Sequence, residues 1–178
     1  MGKRSNFERI KKDKYMTWDK AAILPLVPHI DFVDYMEPCA GDGSLIRNLS
    51  FYSPKCRWSS DIEPDAAGYA YGIKKHDALL LNNPFGWPIV TNPPWERRLL
   101  HPMIDHFMNI APFVWLLFDA DWAHTLQSSP YIKHIEKIVS VGRVKWIPGT
   151  TMCGKDNCAW YKFRKGHVDG PKFYGRSK

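Results

Sequence analysis

Two glycines, Gly41 and Gly43, lie in the stretch EPCAGDGS, where a predicted strand passes directly into a predicted helix. Glycines at such a turn allow positive φ angles and let a ligand approach the backbone, while the helix N-terminus offers free N–H groups. The stretch lacks the G-x-G-x-x-G spacing of dinucleotide sites and the Gly-Lys-Ser/Thr of phosphate loops. Glu37 and Asp42 would repel a pyrophosphate, so we expect a ligand that is neutral or cationic at this point. A simple turn is the alternative interpretation.

Acidic residues also follow the next two predicted strands. Asp61-Ile62-Glu63 begins 18 residues beyond Gly43. An acid at this position can accept hydrogen bonds from both hydroxyls of a ribose, although Asp61 or Glu63 could equally cap the following helix. His76-Asp77 follows a third short strand, where the Asp77 carboxylate could accept from the exocyclic amine of an adenine. The carboxyl ends of parallel strands open into one crevice, so acids after three successive strands favour a nucleoside site.

The stretch Thr91-Asn92-Pro93-Pro94-Trp95 follows an apolar run, WPIV. Two consecutive prolines cannot continue a helix and cannot donate to a sheet ladder. The strand therefore ends on a rigid loop that carries an amide and a large aromatic ring. Two interpretations are open from these residues: a rigid turn with Trp95 packed in the core, or a functional loop.

In this order and at this spacing, the motifs resemble the class I S-adenosylmethionine-dependent methyltransferases, and within them the amino-methyltransferases that modify adenine N6. The resemblance covers roughly residues 15–163. It implies a cofactor site in which EPCAGDG contacts the methionine part, Asp61 the ribose and Asp77 the adenine. A segment that resembles the family's cofactor-covering element begins at Tyr15, although the family usually has Thr-Pro where this chain has Thr17-Trp18. The implied S-adenosylmethionine contacts are Tyr15, Thr17, Glu37, Pro38, Cys39, Ala40, Gly41, Gly43, Asp61, Ile62, His76, Asp77 and Asn92.

The resemblance also implies that Asn92, Pro93, Pro94 and Trp95 form the catalytic motif. An exocyclic amine is a poor nucleophile because its lone pair is delocalised into the ring, and hydrogen bonds to its N–H groups favour a more reactive nitrogen. The implied acceptors are the side-chain oxygen of Asn92 and the carbonyl of Pro93, held in place by the stiff loop. Trp95 would stack on a base swung out of its strand. Positioning the amine nitrogen in line with the sulfonium methyl supplies much of the remaining rate acceleration. The reaction needs no covalent intermediate and no metal.

Charge and composition narrow the class of partner. The 178 residues include 25 Lys and Arg against 18 Asp and Glu, giving a formal net charge of +7, which favours an anionic partner such as nucleic acid. Arg143, Lys145 and Lys155, in a segment that resembles the edge hairpin of such enzymes, are candidate phosphate contacts. Cys153 and Cys158 have no second Cys or His pair at zinc spacing, so no metal is expected. Short apolar runs and a charged N-terminus predict no membrane span and a cytoplasmic protein of a bacterial or phage-infected cell.

Strand-like runs alternate with helical runs along the chain. This pattern predicts an α/β fold with a doubly wound, mostly parallel, seven-stranded Rossmann-like sheet. Residues 137–146 and 158–163 are expected to form an antiparallel edge hairpin, and helices are expected over 18–26, 44–51, 65–71, 97–110 and 123–136. One domain spanning 1–178 is expected, without a separate target-recognition domain. The basic termini, about 1–14 and 164–178, are interpreted as flexible ends or as phosphate-binding segments.

The combined prediction is a compact methyltransferase acting on adenine N6 of nucleic acid, with DNA favoured over RNA. Its compactness resembles virus-encoded DNA adenine methyltransferases. Sequence specificity would then be short and loop-borne, or supplied by a homodimer or a specificity partner. Three alternatives stay open: adenine N6 methylation of RNA such as ribosomal RNA, methylation of a protein glutamine amide through the similar Asn-Pro-Pro motif, and a nucleic-acid-binding module without catalysis.

Overall fold

A computed structural model describes residues 15–176 of the chain. Among these residues the centre of the fold is an eight-stranded sheet, with strands β1 Asp34–Glu37, β2 Lys55–Asp61, β3 Lys74–Lys75, β4 Ile89–Thr91, β5 Val114–Asp119, β6 Ile135–Gly142, β7 Cys158–Phe163 and β8 Lys172–Tyr174. The strand order is β3-β2-β1-β4-β5-β7-β6-β8. All neighbouring strands are parallel except β7, which is antiparallel to both β5 and β6.

Short helical segments connect most of the strands. The α-helices of the described residues are α1 Ser44–Leu49, α2 Ala66–Ala70, α3 Arg97–Ile110 and α4 Ser129–Ile132. The 3-10 helices are Lys20–Ala22, Val27–His29, Ser50–Tyr52, Ala78–Leu80, Ala120–His124 and Leu126–Ser128. Helix α3 is the longest, and Leu100, Met103, Ile104 and Phe107 repeat at helical spacing along its buried face. This amphipathic pattern explains why its bounds agree with the sequence prediction.

Strand β5 separates the two apolar clusters that make up the core. Leu116 and Phe118 point into the cluster on the α3 side of the sheet, and Trp115 and Leu117 point into the cluster on the other side. Successive side chains of a strand face opposite sides of a sheet, so a central strand covered on both faces is apolar throughout. The predicted doubly wound, mostly parallel α/β fold is confirmed, and β6 and β7 form the predicted antiparallel hairpin.

The sheet has one strand more than the sequence predicted. Residues Lys172–Tyr174 lie in the C-terminal segment that was interpreted as a flexible or phosphate-binding end, and they pair in parallel with β6 as strand β8. A three-residue strand bounded by polar and glycine residues has too short a pattern to be recognised from alternation alone. The N-terminal segment 1–14, interpreted in the same way, lies outside the described residues.

Two of the predicted helices are wrong in form. Residues 18–26 form a short 3-10 helix followed by turns, because Pro25 has no N–H for the carbonyl of Ala21 and the carbonyl of Ala22 accepts from the Trp160 indole instead, at 2.7 Å. Residues 123–136 contain a 3-10 helix, the single turn α4 and the start of β6. Pro130 disfavours helical backbone before it and can only begin a helix, so the crossover between β5 and β6 is short.

One lysine is fully buried at the edge where the parallel strands begin. The Lys162 side chain is 0% exposed, and its Nζ lies 2.7 Å from Asp31 Oδ2 and 3.3 Å from Glu136 Oε1. The same Nζ lies 4.4 Å from the centroid of the Phe113 ring. A buried cation requires such partners, because desolvation without them is unfavourable by several kcal/mol, on the order of 20 kcal/mol in the idealised limit.

A histidine on α3 is held in its neutral form by a tryptophan. Trp122 Nε1 donates a hydrogen bond to His101 Nε2 at 3.0 Å, so that nitrogen must carry a lone pair. Burial lowers the pKa of His101, Arg97 lowers it further, and Asp105 partly opposes them. A folded-state pKa below the unfolded value means that the contribution to stability is present above about pH 6.5 and is lost as the pH falls through the folded pKa.

We therefore expect the stabilisation from His101 to depend on pH. The free energy of unfolding of the wild type should exceed that of His101→Phe by about 1 kcal/mol near neutral pH, the usual net value of one hydrogen bond. The difference should shrink as the pH is lowered toward about 5, because protonation removes the acceptor in the wild type alone. Urea titrations of both proteins across this range would measure it. If the difference in free energy of unfolding stays constant with pH, the Trp122–His101 hydrogen bond is not its source.

Candidate active site

The turn between β1 and α1 has the backbone that only glycine adopts without strain. Gly41 has φ +55° and Gly43 has φ +79°. A Cβ on Gly41 would collide with the sulfur of Met16, and a Cβ on Gly43 would lie 2.7 Å from the ring of Tyr71. Both glycines are therefore required by conformation and by the side chains that pack on the turn. Sequence reasoning found the glycines but missed Met16 and Tyr71.

Asp61 joins the glycine turn to the end of β2. Its Oδ2 accepts a hydrogen bond from the Gly41 N–H and its Oδ1 accepts from the Glu63 N–H, both at 2.9 Å. Asp42, by contrast, faces α1: it accepts from the Ser44 N–H at 2.8 Å and forms an ion pair with Arg47 at 3.2 Å. Asp61 is thus the carboxylate that contacts the turn.

Glu37 ends β1 as a buried acid beside these residues. Its side chain is 1% exposed, and Oε2 has no hydrogen-bond partner among the described residues. Burial raises the pKa of Glu37 well above its ordinary value, and the negative charges of Asp61 and Asp42 raise it further. A buried acid without a partner for one oxygen is a group on which a cationic ligand would act strongly.

Asp77 belongs to the same region of the sheet. Burial raises the pKa of the Cys39 thiol, and the carboxylates of Asp61, Glu37 and Asp77 add to the effect, which means that all three act on one cysteine. Asp77 Oδ1 also accepts from the Leu79 N–H at 2.9 Å, capping a 3-10 helix.

The other predicted cofactor residues lie along the same strand ends. The His76 N–H donates to the Asp61 carbonyl at 2.9 Å, and its ring Nδ1 lies 2.8 Å from the Asp77 carbonyl oxygen. Ile62 follows Asp61 and is 58% exposed, an unusual position for an isoleucine. Pro38 and Ala40 are buried, and the Ala40 N–H donates to the Ser60 carbonyl at 2.9 Å.

The amide of Asn92 is held in one orientation at the end of β4. Its Nδ2 donates to the Tyr15 carbonyl and to Thr17 Oγ1, each at 3.1 Å. Its Oδ1 accepts from Trp95 Nε1, also at 3.1 Å. Because donors and acceptor both have partners, a flipped amide would lose all three bonds. Pro93 is buried and Pro94 is partly buried.

Residues 15–17 connect the Asn92 loop to the glycine turn. Tyr15 and Thr17 accept from Asn92, while the side chain of Met16, between them, packs on Gly41. The segment is itself fixed to α1 by Asn48, whose Nδ2 donates to the Thr17 carbonyl at 3.0 Å. Sequence reasoning missed Asn48; the available signal was a polar residue on the buried side of a short helix.

Trp95 fits neither of the two sequence interpretations by itself. Its ring is partly buried and packs against both core clusters, yet its indole N–H binds the Asn92 amide. The ring meets Trp146 edge to face, with centroids 5.6 Å apart and planes at 87°, and Trp146 lies 6.2 Å from the ring of Tyr15. Trp146 comes from the loop after β6, and only the folded chain identifies it as part of this cluster.

The three predicted phosphate contacts lie in the loop between β6 and β7, at the same edge of the sheet. Arg143 and Lys145 are partly buried and Lys155 is exposed. The Lys145 N–H donates to Asp19 Oδ2 at 2.9 Å, which attaches the loop near residues 15–17. None of the three cations forms an ion pair within residues 15–176.

Within the same described range, no helix combines the length and apolar character needed to cross a membrane. That range also contains no group of three or more His, Cys, Asp or Glu side chains placed to hold a metal ion.

No protein-family model and no curated protein matches the chain by sequence. Solved structures do match it over nearly its whole length. A protein of Listeria monocytogenes, provisionally described as a class I S-adenosylmethionine-dependent methyltransferase, has a TM-score of 0.63 at 14% identity, covering 97% of this chain and 68% of that one. A provisionally described RNA methyltransferase of Pyrococcus horikoshii has a TM-score of 0.59 at 15% identity, covering 92% of each chain. The 23S rRNA methyltransferase ErmE has a TM-score of 0.56 at 14% identity, covering 92% of this chain and 71% of its own. The chain therefore has the fold of the class I S-adenosylmethionine-dependent methyltransferases.

Proposed function

We propose that the protein binds S-adenosylmethionine and methylates an exocyclic amine of a nucleobase in nucleic acid, with adenine N6 as the target. One observation carries the proposal: residues 15–17 hold the Asn92 amide and at the same time pack on Gly41, whose N–H binds Asp61. A loop suited to hold an amine and a turn suited to hold a nucleoside are thus joined by one short segment.

The acids around the turn suit a cationic cofactor. S-adenosylmethionine, when bound, supplies an electrophilic methyl group on a positively charged sulfur. The carboxylates of Asp61 and Asp77 both raise the pKa of Cys39, so their negative charge extends over this turn, where it would repel an anionic ligand. Asp61 has lone pairs left for ribose hydroxyls beyond the two N–H groups it accepts from. The exposed Ile62 next to it offers an apolar surface for an adenine ring.

Asn92 and Pro93 supply the acceptors for the target amine in this proposal. A carbonyl oxygen has two lone pairs, so Asn92 Oδ1 can accept from Trp95 Nε1 and from the amine together. The backbone carbonyl of Pro93 is the second acceptor, and the two prolines remove the need to order the loop during reaction. Trp95 offers its ring to the base while its N–H fixes the amide.

The polymer is proposed as nucleic acid, with RNA and DNA on an equal footing. The net charge of +7 suits a phosphate backbone, as do Arg143, Lys145 and Lys155, which form no ion pair within residues 15–176. ErmE is described as a 23S rRNA methyltransferase, which gives RNA as much support as the sequence resemblance gives DNA.

A transfer assay tests the function directly. The protein would be incubated with S-adenosylmethionine carrying a labelled methyl group and with unmethylated DNA or RNA, and the digested nucleosides would be analysed for N6-methyladenine. Calorimetry with S-adenosylmethionine would establish cofactor binding independently. Bound cofactor without transfer to any adenine-containing polymer would contradict the proposal, and labelling of protein amides instead would favour the glutamine alternative.

The indole N–H of Trp95 gives a separate prediction. Trp95→Phe keeps an aromatic ring for stacking but removes the donor to Asn92, so the single-turnover rate should fall about fivefold, the effect of one hydrogen bond of about 1 kcal/mol. Trp95→Ala should also weaken oligonucleotide binding, because base–aromatic stacking contributes about 1–3 kcal/mol. Rates at saturating substrate and anisotropy measurements would separate the two effects. A wild-type rate in Trp95→Phe would show that the amide needs no support from the indole.

A further inference from the structure

A groove of about 350 Å³ opens at the carboxyl edge of the sheet, on the side of β5 away from β4. Alternate residues of β6 and β7 form its floor, and the turn after β5 and the end of β8 form its walls. This volume lies at the lower end of the range for small-ligand sites, about 300–1,000 Å³. The side chains that give it chemical character are Asp121, His124, Ser140, Asn157, Phe173 and Arg176.

The groove exists because the crossover between β5 and β6 is short. A regular helix over residues 123–136 would cover this face of β6, but the chain there forms 3-10 turns and the single turn α4. Ile138 and Ala159 are consequently left on the floor of the groove. At the side of the groove, Phe173 of the three-residue strand β8 is 66% exposed.

The polar side chains of the groove are not used by the fold. Asp121, His124, Ser140 and Asn157 form no side-chain hydrogen bond and no ion pair with any described residue. Asn92, in contrast, has partners within the protein for both its amide nitrogen and its amide oxygen. Carboxylate, hydroxyl, amide and imidazole groups that converge without internal partners can hydrogen-bond the edge of an unpaired base.

Arg176 lies across the end of β6 at one side of the groove. Gly142, with φ +88°, makes room for it: a Cβ at this position would lie 3.0 Å from the guanidinium of Arg176. Arg176 forms no ion pair within residues 15–176. An exposed ring and a guanidinium without an ion pair among the described residues, both lining one groove, form a combination that can stack a base and bind its phosphate.

We propose that this groove binds a second, unpaired nucleotide of the strand that carries the target base, with its base on Phe173 and its phosphate on Arg176. The inference rests on the proposed function, because it takes nucleic acid as the substrate. In the strand order, β8 with Phe173 lies four strand spacings from β4, about 19 Å at the usual strand spacing. Stacked nucleotides advance about 3.4 Å each, so the site lies roughly five to six nucleotides from Asn92.

Oligonucleotide binding by matched variants tests the groove. The probe is a fluorescein-labelled single-stranded oligonucleotide of mixed sequence, in DNA and RNA form, measured by anisotropy. Phe173→Ala and Arg176→Ala should each raise Kd about tenfold, within the range known for base–aromatic and phosphate contacts. The controls are Phe85→Ala, which removes an exposed aromatic ring, and Lys133→Ala, which removes an exposed cation. Both residues lie at the edge where the parallel strands begin, opposite the groove, so both variants should leave Kd unchanged.

The outcomes separate this inference from the proposed function. Oligonucleotide binding that is equal in wild type, Phe173→Ala and Arg176→Ala would overturn the groove alone. Failure of the wild type to bind either polymer would overturn both the groove and the nucleic-acid substrate. Photocrosslinking of a thio-substituted oligonucleotide, followed by mass spectrometry, should label the peptide that contains Phe173. Labels confined to residues 143–156 would also overturn the groove.

Discussion

Replacing Asn92 by alanine should reduce the rate of methyl transfer by about 10²- to 10³-fold, the usual effect of removing one preorganised polar group from a reaction centre. The substitution removes the side-chain oxygen proposed to accept from the target amine. It also removes the donors to Tyr15 and Thr17, and with them a link between the loop and the N-terminal segment. Single-turnover assays at saturating S-adenosylmethionine and oligonucleotide would measure the change.

Two comparison variants make this prediction specific. Asn109→Ala removes an exposed asparagine of α3 and should leave the rate unchanged. Asp61→Ala removes the carboxylate that binds the Gly41 N–H, so it should weaken S-adenosylmethionine binding in calorimetry, whereas Asn92→Ala should largely retain that affinity. Near-normal transfer by Asn92→Ala would exclude the proposed role of this loop.

Replacing Lys162 by alanine should lower the free energy of unfolding by about 2 kcal/mol, because a fully buried side chain is lost while the carboxylates that it leaves are partly exposed. The substitution leaves the Asp31 and Glu136 carboxylates without their buried cation, although Glu136 keeps its bond to Arg164 at 2.7 Å. It also empties space beside the Phe113 ring. Urea unfolding would measure the loss.

Lys162→Met distinguishes packing from charge. Methionine keeps most of the apolar stem of the lysine. If packing dominates, Lys162→Met should therefore lose clearly less stability than Lys162→Ala. Lys165→Ala, an exposed neighbour bonded to Asn109, should change stability by less than about 0.5 kcal/mol. Because Lys162 lies at the edge opposite the candidate active site, transfer rates of folded Lys162→Met should match the wild type. Equal stability of wild type and Lys162→Ala would show that the buried cation contributes nothing net.

Much of the fold could be predicted because its signals are local. Helix α3 follows from apolar residues at helical spacing, and β5 follows from an unbroken apolar run. The prediction of a helix over 123–136 was wrong because Pro130 can only begin a helix, although the apolar spacing of the segment is helical. Strand β8 was missed since its pairing with β6 is a contact between distant segments and its own sequence carries little pattern.

The sequence by itself determined the rigid parts of the candidate site. Positive φ at Gly41 and Gly43 and the stiffness of Pro93-Pro94 are properties of single residues, so they are readable before the chain folds. Only the tertiary structure decided how these parts meet. Asn92 forms hydrogen bonds with Tyr15 and Thr17, which are 77 and 75 residues away in the sequence. The Trp95 ring likewise contacts the ring of Trp146 from the loop after β6. The groove over β6 likewise depends on the short crossover between β5 and β6. Such contacts follow from the packing of strands in the order β1-β4-β5-β7-β6, which no local pattern encodes.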